Sequence, residues 1–375
     1  MSGNIVIVTP PPNDDHEASP SAFWLQRKIG KTAAQGLIRL GYKLRLNDDK
    51  DKHSATSSSS VGGCWELETD PMGRQTIVAV YMLHSSVLDQ QTTKNSATKE
   101  EKMTSTRAMV SPLDELSALQ MVANYNNSTE SAHVVGTNLI ATCSQHVYAI
   151  LPYHRDGNLS QFCQTVGNLE EPLARYIFRQ IVKGLKTLQD VGLCHRNLSL
   201  DALQMDRDHV DICELGWALR FNKNAPADED RPLPPPGGLD LRYCAPEYFG
   251  STTGVWNGFS ADLWAAGLML YNMIFGEEAL FVAPIAEDKL FARLCIKGDV
   301  RGMAKRCGKF LGKDFSGLSD ELADLLKNML RADPKQRLSL EQVMEHPWLT
   351  MDEVETPTEW TRKNQSDLMQ TKSEK

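Results

Sequence analysis

Five short segments, always in the same order along the chain, hold the side chains best suited to chemistry. They are His195-Arg196-Asn197-Leu198, Cys213-Glu214-Leu215-Gly216, Tyr243-Cys244-Ala245-Pro246-Glu247, Asp262-Leu263-Trp264-Ala265-Ala266-Gly267 and Asp333-Pro334-Lys335-Gln336-Arg337. Residue type decides what each can contribute. The Glu214 carboxylate could hold a divalent cation, whereas the Asn197 amide cannot accept a proton as a general base. Arg196 and Arg337 carry positive charge, and Glu247 and Asp262 negative. Thiol and zinc chemistry are not indicated. The eight cysteines are scattered, with no C-x-x-C pair and no Cys/His cluster at metal spacing, and in a chain this long they read as reduced, small hydrophobes.

Two kinds of element must position these segments. The first third reads as strands: residues 36–46 and 65–67 alternate, and 76–83 is a short β-branched run of the kind found in a buried strand. One helix interrupts them, where Ser111-Pro112 gives an N-cap and first-turn proline and Leu116, Leu119 and Val122 share a face. Strands return at 133–141 and 146–152. From about residue 158 the period becomes helical, with Leu173, Ile177, Ile181, Leu185 and Leu188 spaced along 170–193. Further helices are predicted at 260–274, 285–296, 319–330 and 339–345, with Ser319 and Ser339 as N-caps. This is an α+β chain: a small β-rich lobe, then a larger helical lobe, with a cleft between them as the default ligand site.

Composition narrows the function. Forty Lys+Arg against 48 Asp+Glu give a net charge of −8, and no local basic stripe stands out, so nucleic acid is not an expected partner. The longest apolar runs, such as 265–274, fall short of the about 20 residues that span a bilayer, so a membrane is not expected either. The N-terminus lacks the pattern of a secretory signal, and the expected setting is intracellular and soluble, cytoplasmic or nuclear. Residues 1–22 and 350–375 read as disordered tails, and 47–63 and 92–106 as polar inserts. The folded domain is then 23–349, with lobes at about 23–152 and 153–349.

In their order and spacing, the five segments resemble the catalytic loop, metal-binding segment, A-P-E motif, D-x-W-x-x-G helix and terminal D-P-x-x-R of eukaryotic protein kinases, with His346-Pro347-Trp348 closing the series. The terminal signature looks most like the calcium/calmodulin-dependent Ser/Thr type. The resemblance implies a bilobal kinase-like fold, a Glu247–Arg337 ion pair, and Asp262 holding the catalytic-loop backbone. It places an ATP pocket at Gly30, Gly36, Ile38, Ala79, Tyr81, Glu115, Leu151 and Tyr153, with Leu151 as gatekeeper and Pro152–Tyr153 as hinge.

The chemical positions depart from the family. Phosphoryl transfer rests on a phosphate-binding Lys, metal-binding Asp and Asn, and an Asp for the hydroxyl proton. Here Val78-Ala79-Val80-Tyr81 has Tyr81 in place of the lysine, so Glu115 lacks its usual partner. Asn197 stands at the base position, Ser199 at the phosphate-contacting lysine, and Ala202 at the metal-binding asparagine. Glu214 replaces the metal-binding aspartate, one methylene longer. The glycine loop, Gly30 to Gly36, lacks its middle glycine and carries an extra residue, and Gln204 stands where an apolar floor residue is usual. Lys31 is the best local substitute for the lost lysine.

The resemblance therefore implies a pseudokinase: a non-catalytic scaffold or regulator in intracellular signalling, with protein partners. ATP and magnesium enter only if some nucleotide binding survives, and the alternative is a residual or atypical Ser/Thr kinase using Glu214 and Lys31. Three surface features could serve partners: Arg231-Pro232-Leu233-Pro234-Pro235-Pro236, an arginine-led polyproline run, the Ser57–Ser60 run, and the acidic residues near 351–355. Residues 217–240 contain no Ser, Thr or Tyr, and Asp228-Glu229-Asp230 offers a permanent acidic cluster that could reach Arg196.

Overall fold

Alternating side chains in the first third build one antiparallel sheet. The computed structural model describes residues 5–8, 21–31, 37–46, 65–70, 74–86, 112–126, 132–137, 139–221, 231–232, 243–250, 255–276 and 281–364. Within them lie β1 (Ile5–Val8), β2 (Ser21–Lys31), β3 (Leu37–Leu46), β4 (Trp65–Leu67), β5 (Ile77–His84), the helix α1 (Pro112–Asn126), β6 (Leu139–Thr142) and β7 (His146–Pro152). The sheet order is β1-β2-β3-β5-β7-β6, and β4 pairs with β3 off that path. On β5, Tyr81 lies opposite Ile38 on one side and Ala149 on the other. The two-residue period of β5 sends Tyr81 and Leu83 into the core shared with the helices, and turns Val80 to the far face beside Phe23, Leu25 and Tyr148. Helix α1 buries Glu115, Leu116, Leu119 and Val122.

The second lobe is helical. It holds α2 (Leu159–Val166), α3 (Glu171–Val191), α4 (Glu247–Gly250), α5 (Gly258–Phe275), α6 (Lys289–Phe291), α7 (Val300–Leu311), α8 (Asp320–Met329), α9 (Leu340–Met344), α10 (Pro347–Thr350) and α11 (Pro357–Lys363). Between α3 and α4 come β8 (Leu193–Cys194) paired with β11 (Leu219–Arg220), and β9 (Leu203–Asp206) paired with β10 (His209–Ile212). Asn257 caps α5 by accepting from the Phe259 and Ser260 amides, and almost every residue of that helix is buried, as a helix apolar on all sides requires. Ser319 and Ser339 cap α8 and α9. The described residues thus form the expected bilobal α+β fold, a β-rich lobe above a helical one.

Two of the joints between the lobes position the cleft. One is the hinge at the end of β7. At the other, the loop after α1 docks on β10: Val135 donates its amide to the Ile212 carbonyl and Ile212 donates to that of His133, each at 2.9 Å. Gly184 of α3 lets this loop approach, since a Cβ there would stand 2.6 Å from the His133 carbonyl oxygen.

Several expectations change. The strand expected at 133–141 is confined to Leu139–Thr142, because His133 has a left-handed backbone (φ 51°) and the Thr137 hydroxyl bonds the Ile150 carbonyl at 2.6 Å. The helix expected at 285–296 is α6 followed by a π-helical turn, Ala292–Ile296. Neither tail is wholly unstructured. Ile5–Val8 pairs in antiparallel register with Ser21–Trp24, the β-branched residues favouring an edge strand. At the other end α11 starts with a Thr356–Glu359 capping box, and Trp360 packs edge-on against Phe162 with centroids 6.4 Å apart. Arg175 and Arg179 hold the connecting backbone by donating to the carbonyls of Glu353, Met351 and Leu349. Arg231–Pro232 pairs with Val255–Trp256; the rest of the polyproline run, the inserts 47–63 and 92–106, and Asp228-Glu229-Asp230 lie outside the described residues. Among the described residues no helix is long and apolar enough to cross a membrane. Cys194, Cys295 and Cys307 are buried free thiols.

Candidate functional site

A cavity of about 270 Å³ lies between the lobes. Gly30, Lys31 and Ile38 form its roof, Ala79 and Tyr81 come from β5, and Glu115 and Leu119 come from α1. Leu151, Pro152, Tyr153 and His154 line the hinge side, and Gln204, Cys213, Glu214 and Leu215 the floor. The structure therefore brings Gly30, Ile38, Ala79, Tyr81, Glu115, Leu151, Tyr153 and Glu214 to one cleft, whereas Gly36 lies outside the described residues. Asn197 is not on this wall. It lines a smaller, separate pocket with Arg196, Tyr243 and Tyr248.

At the back of the cleft the Tyr81 hydroxyl donates to Glu115 Oε2 at 3.0 Å, with Tyr81 1% and Glu115 4% exposed. The carboxylate of α1 thus meets a neutral hydroxyl where the resemblance implies an ammonium. β-sheet register sets this contact: Tyr81 shares its face of β5 with Ala79, two residues back, which also lines the cleft.

The floor is held from below. Buried Asp262 on α5 accepts from the amides of His195 at 2.6 Å and Arg196 at 2.7 Å. Those bonds hold Arg196 in the left-handed region at φ 70°, a conformation that costs a side-chain-bearing residue about 1–2 kcal/mol. Burial pushes the Asp262 carboxyl up to about 7, against the pull of the two amides. The buried His195 ring is held neutral: desolvation lowers its pKa to about 4. Its Nε2 donates to the Cys213 carbonyl at 2.7 Å, and its Nδ1 accepts the Asn197 amide at 3.3 Å. This ring joins the His195–Asn197 loop to the strand leading into Glu214.

Glu214 also has a left-handed backbone, φ 64°. Burial first, and then the Asp201 charge, raise its carboxyl above the usual range. Ala202 is fully buried and carries no ligand atom. The residues present suit a flat ring between Ala79, Ile38 and Leu151. They do not fit a magnesium-bound phosphate chain: the Tyr81 hydroxyl is engaged with Glu115, Ala202 offers only a methyl, and Glu214 is the one carboxylate besides Glu115 on the cavity wall.

Away from the cleft, Arg337 and Glu247 form a two-pronged pair, with Nη1–Oε1 and Nη2–Oε2 both at 2.9 Å. The Arg337 side chain is fully buried, also donates to the Ser260 and Arg331 carbonyls, and lies 5.0 Å from the Trp264 ring centroid. It ties the end of the 217–247 segment to α5 and to the C-terminal helices.

Sequence reasoning missed His154, Val135 and Cys213 as cleft residues. It also missed that His154 Nε2 meets Asp211 Oδ2 at 2.8 Å beneath the hinge. The two lie 57 residues apart, so no local pattern marks the pair.

A model of the protein kinase domain family matches residues 72–349, which takes in β5, α1, the hinge and the helical lobe. The chain is 25% identical over 254 residues to serine/threonine-protein kinase SAPK3 of Oryza sativa subsp. indica, covering 66% of this chain and 68% of that protein. It is 25% identical over 260 residues to the maternal embryonic leucine zipper kinase of Danio rerio, covering 67% and 34%. It is 30% identical over 210 residues to serine/threonine-protein kinase PLK4 of Drosophila grimshawi, covering 54% and 24%. The last two relatives are thus matched over about a third and a quarter of their own lengths. Because the matched family model spans more than half of the chain, the chain belongs to the protein kinase domain family.

Proposed function

We propose that this kinase-fold chain is a pseudokinase, a non-catalytic scaffold or regulator that works through protein partners in intracellular signalling. The observation that carries this reading is the Tyr81–Glu115 hydrogen bond, which puts a neutral, engaged hydroxyl where a phosphate-binding cation would be needed. Asn197, Ser199 and Ala202 support it, since each lacks the group phosphoryl transfer would use at its position. If each of four lost groups cost about 10²-fold, the product would be about 10⁸, although such effects are not additive. The helical-lobe architecture, with Asp262, Glu247 and Arg337 all engaged, supports retention of a binding surface. We read the Asp333–Arg337 segment with His346-Pro347-Trp348 as nearest the calcium/calmodulin-dependent type, and the setting as cytoplasmic or nuclear. A second reading, a residual Ser/Thr kinase, draws on Lys31 and Glu214 lining the same cleft, and on the Asp201 charge acting on Glu214.

The test is phosphate incorporation from labelled ATP, alongside melting curves with ATP and Mg²⁺ or Mn²⁺. A ligand that binds only the folded state raises apparent stability by RT ln(1 + [L]/Kd). The expected result is incorporation no greater than a no-enzyme control and no metal-dependent rise in melting temperature. Incorporation abolished by Glu214→Ala would establish the second reading instead.

A further inference from the structure

We propose that His133, His209 and Asp211 form a binding site for a divalent transition-metal ion of the zinc class, set in the second joint between the lobes. One ligand atom from each of the three lies within 4.8 Å of the other two. The site does not depend on whether the cleft is catalytic.

The three residues come from two segments that the fold clamps together. His209 and Asp211 are two apart on β10 and therefore share a face. His133 is carried to them by the docking of its loop on Ile212. Its Nδ1 lies 2.9 Å from the Val210 carbonyl oxygen. A carbonyl only accepts, so Nδ1 carries the proton and Nε2 the lone pair, the form in which an imidazole ligates a metal while its other nitrogen is anchored.

His209 Nε2 and Asp211 Oδ1 are 3.0 Å apart. Two ligand atoms on a tetrahedral zinc, with bonds of about 2.0–2.1 Å, sit about 3.3 Å apart, so this pair is close to ligating distance with a proton where the metal would lie. The other oxygen, Asp211 Oδ2, meets His154 Nε2 at 2.8 Å. That contact orients the carboxylate as outer partners do in metal sites. The His133 and His209 rings lie side by side, with centroids 4.7 Å apart and planes 30° apart. The separations, all within 4.8 Å, must close to about 3.3 Å to reach tetrahedral spacing. His209 can supply that movement, because its side chain is 46% exposed while Asp211 is 13% exposed. Two imidazoles and one carboxylate suit zinc, cobalt or nickel over magnesium or calcium, and the exposed side leaves a fourth position for water. A metal here would pin the loop after α1 to the strand that leads, through Ile212 and Cys213, into Glu214.

The experiment uses the full chain, stripped with chelator and titrated with cobalt(II) and then zinc(II) chloride. Visible d–d absorption and the melting temperature are followed. One equivalent of cobalt should give a tetrahedral spectrum that zinc displaces, with a rise in melting temperature. His209→Ala should weaken binding by about 10²-fold or more, since losing an outer partner alone costs about 10–100-fold. His209→Cys should retain binding and add a sulfur-to-cobalt charge-transfer band. His209 is half-exposed, and metal-free melting curves check that both variants fold. His84→Ala alters the other imidazole pair, His84 and His146, whose rings are 5.1 Å apart, and should leave binding unchanged. Absence of stoichiometric cobalt, binding that survives His209→Ala, a missing charge-transfer band with His209→Cys, or loss of binding with His84→Ala would each overturn the site.

Discussion

Replacing Tyr81 by Phe removes one oxygen and leaves the packing of the ring nearly unchanged. The hydroxyl it removes donates at 3.0 Å to Glu115 Oε2, with both residues almost wholly out of solvent. A hydrogen bond to a charged group contributes about 1.5–3 kcal/mol, and here the carboxylate cannot recover it from bulk water. Tyr81→Phe should therefore destabilise the chain by about 1.5–3 kcal/mol, read as a shift of the urea unfolding midpoint at unchanged slope. Glu115→Leu removes the acceptor of this bond and should also destabilise the chain. The double variant should cost clearly less than the sum, with a coupling of about 1 kcal/mol or more, because pairs in direct contact are not additive. A cost for Tyr81→Phe below about 0.5 kcal/mol, or strict additivity in the cycle, would refute the claim that this hydroxyl has taken the place of a cation.

Glu247→Ala strands the fully buried Arg337 guanidinium and should cost about 3–5 kcal/mol, measured by chemical unfolding; the apolar pair Glu247→Leu with Arg337→Met should recover most of it. Acid should act through His195, whose folded pKa of about 4 lies below its ordinary 6.5. The unfolded chain then binds the proton more readily, so this contribution is complete above pH 6.5 and is lost as pH falls toward 4, by about 3 kcal/mol in all. The stability difference between wild type and His195→Gln, followed from pH 7 to 4, should shrink by about that amount. Taking the difference cancels Asp262, whose raised carboxyl pulls the other way.

Much of the fold was legible because it is written in local periods. The alternating run around Tyr81 became β5, the spacing from Leu173 to Leu188 became α3, and Ser319 and Ser339 cap helices as their positions suggest. Two elements were legible but overlooked. Ile5-Val6-Ile7-Val8 is a β-branched run, and Thr356-Pro357-Thr358-Glu359 spells a capping box with proline in the first turn. Polar surroundings drew both into supposed tails. The strand forecast at 133–141 failed for a reason no period reveals: His133 and Thr137 are committed to partners at Val210 and Ile150, 77 and 13 residues along the chain.

The sequence by itself determined the order of elements and which chemical groups stand at the cleft, because periodicity, caps and the five spaced segments are properties of neighbouring residues. It therefore also determined the residue types at the positions the resemblance marks for chemistry: Tyr81, Asn197, Ser199 and Ala202 are what they are before any folding. Only the tertiary structure decided what those residues do instead. The Tyr81 hydroxyl meets Glu115 across 34 positions of chain, because sheet register aims β5 at α1. His133 reaches His209 and Asp211 because the loop after α1 docks on β10 where Gly184 leaves room. Sequence spacing shows no C-x-x-C pair and no Cys/His cluster; the ligand distances of the proposed site are set by which strands and loops pack together, and that follows from burying a shared core.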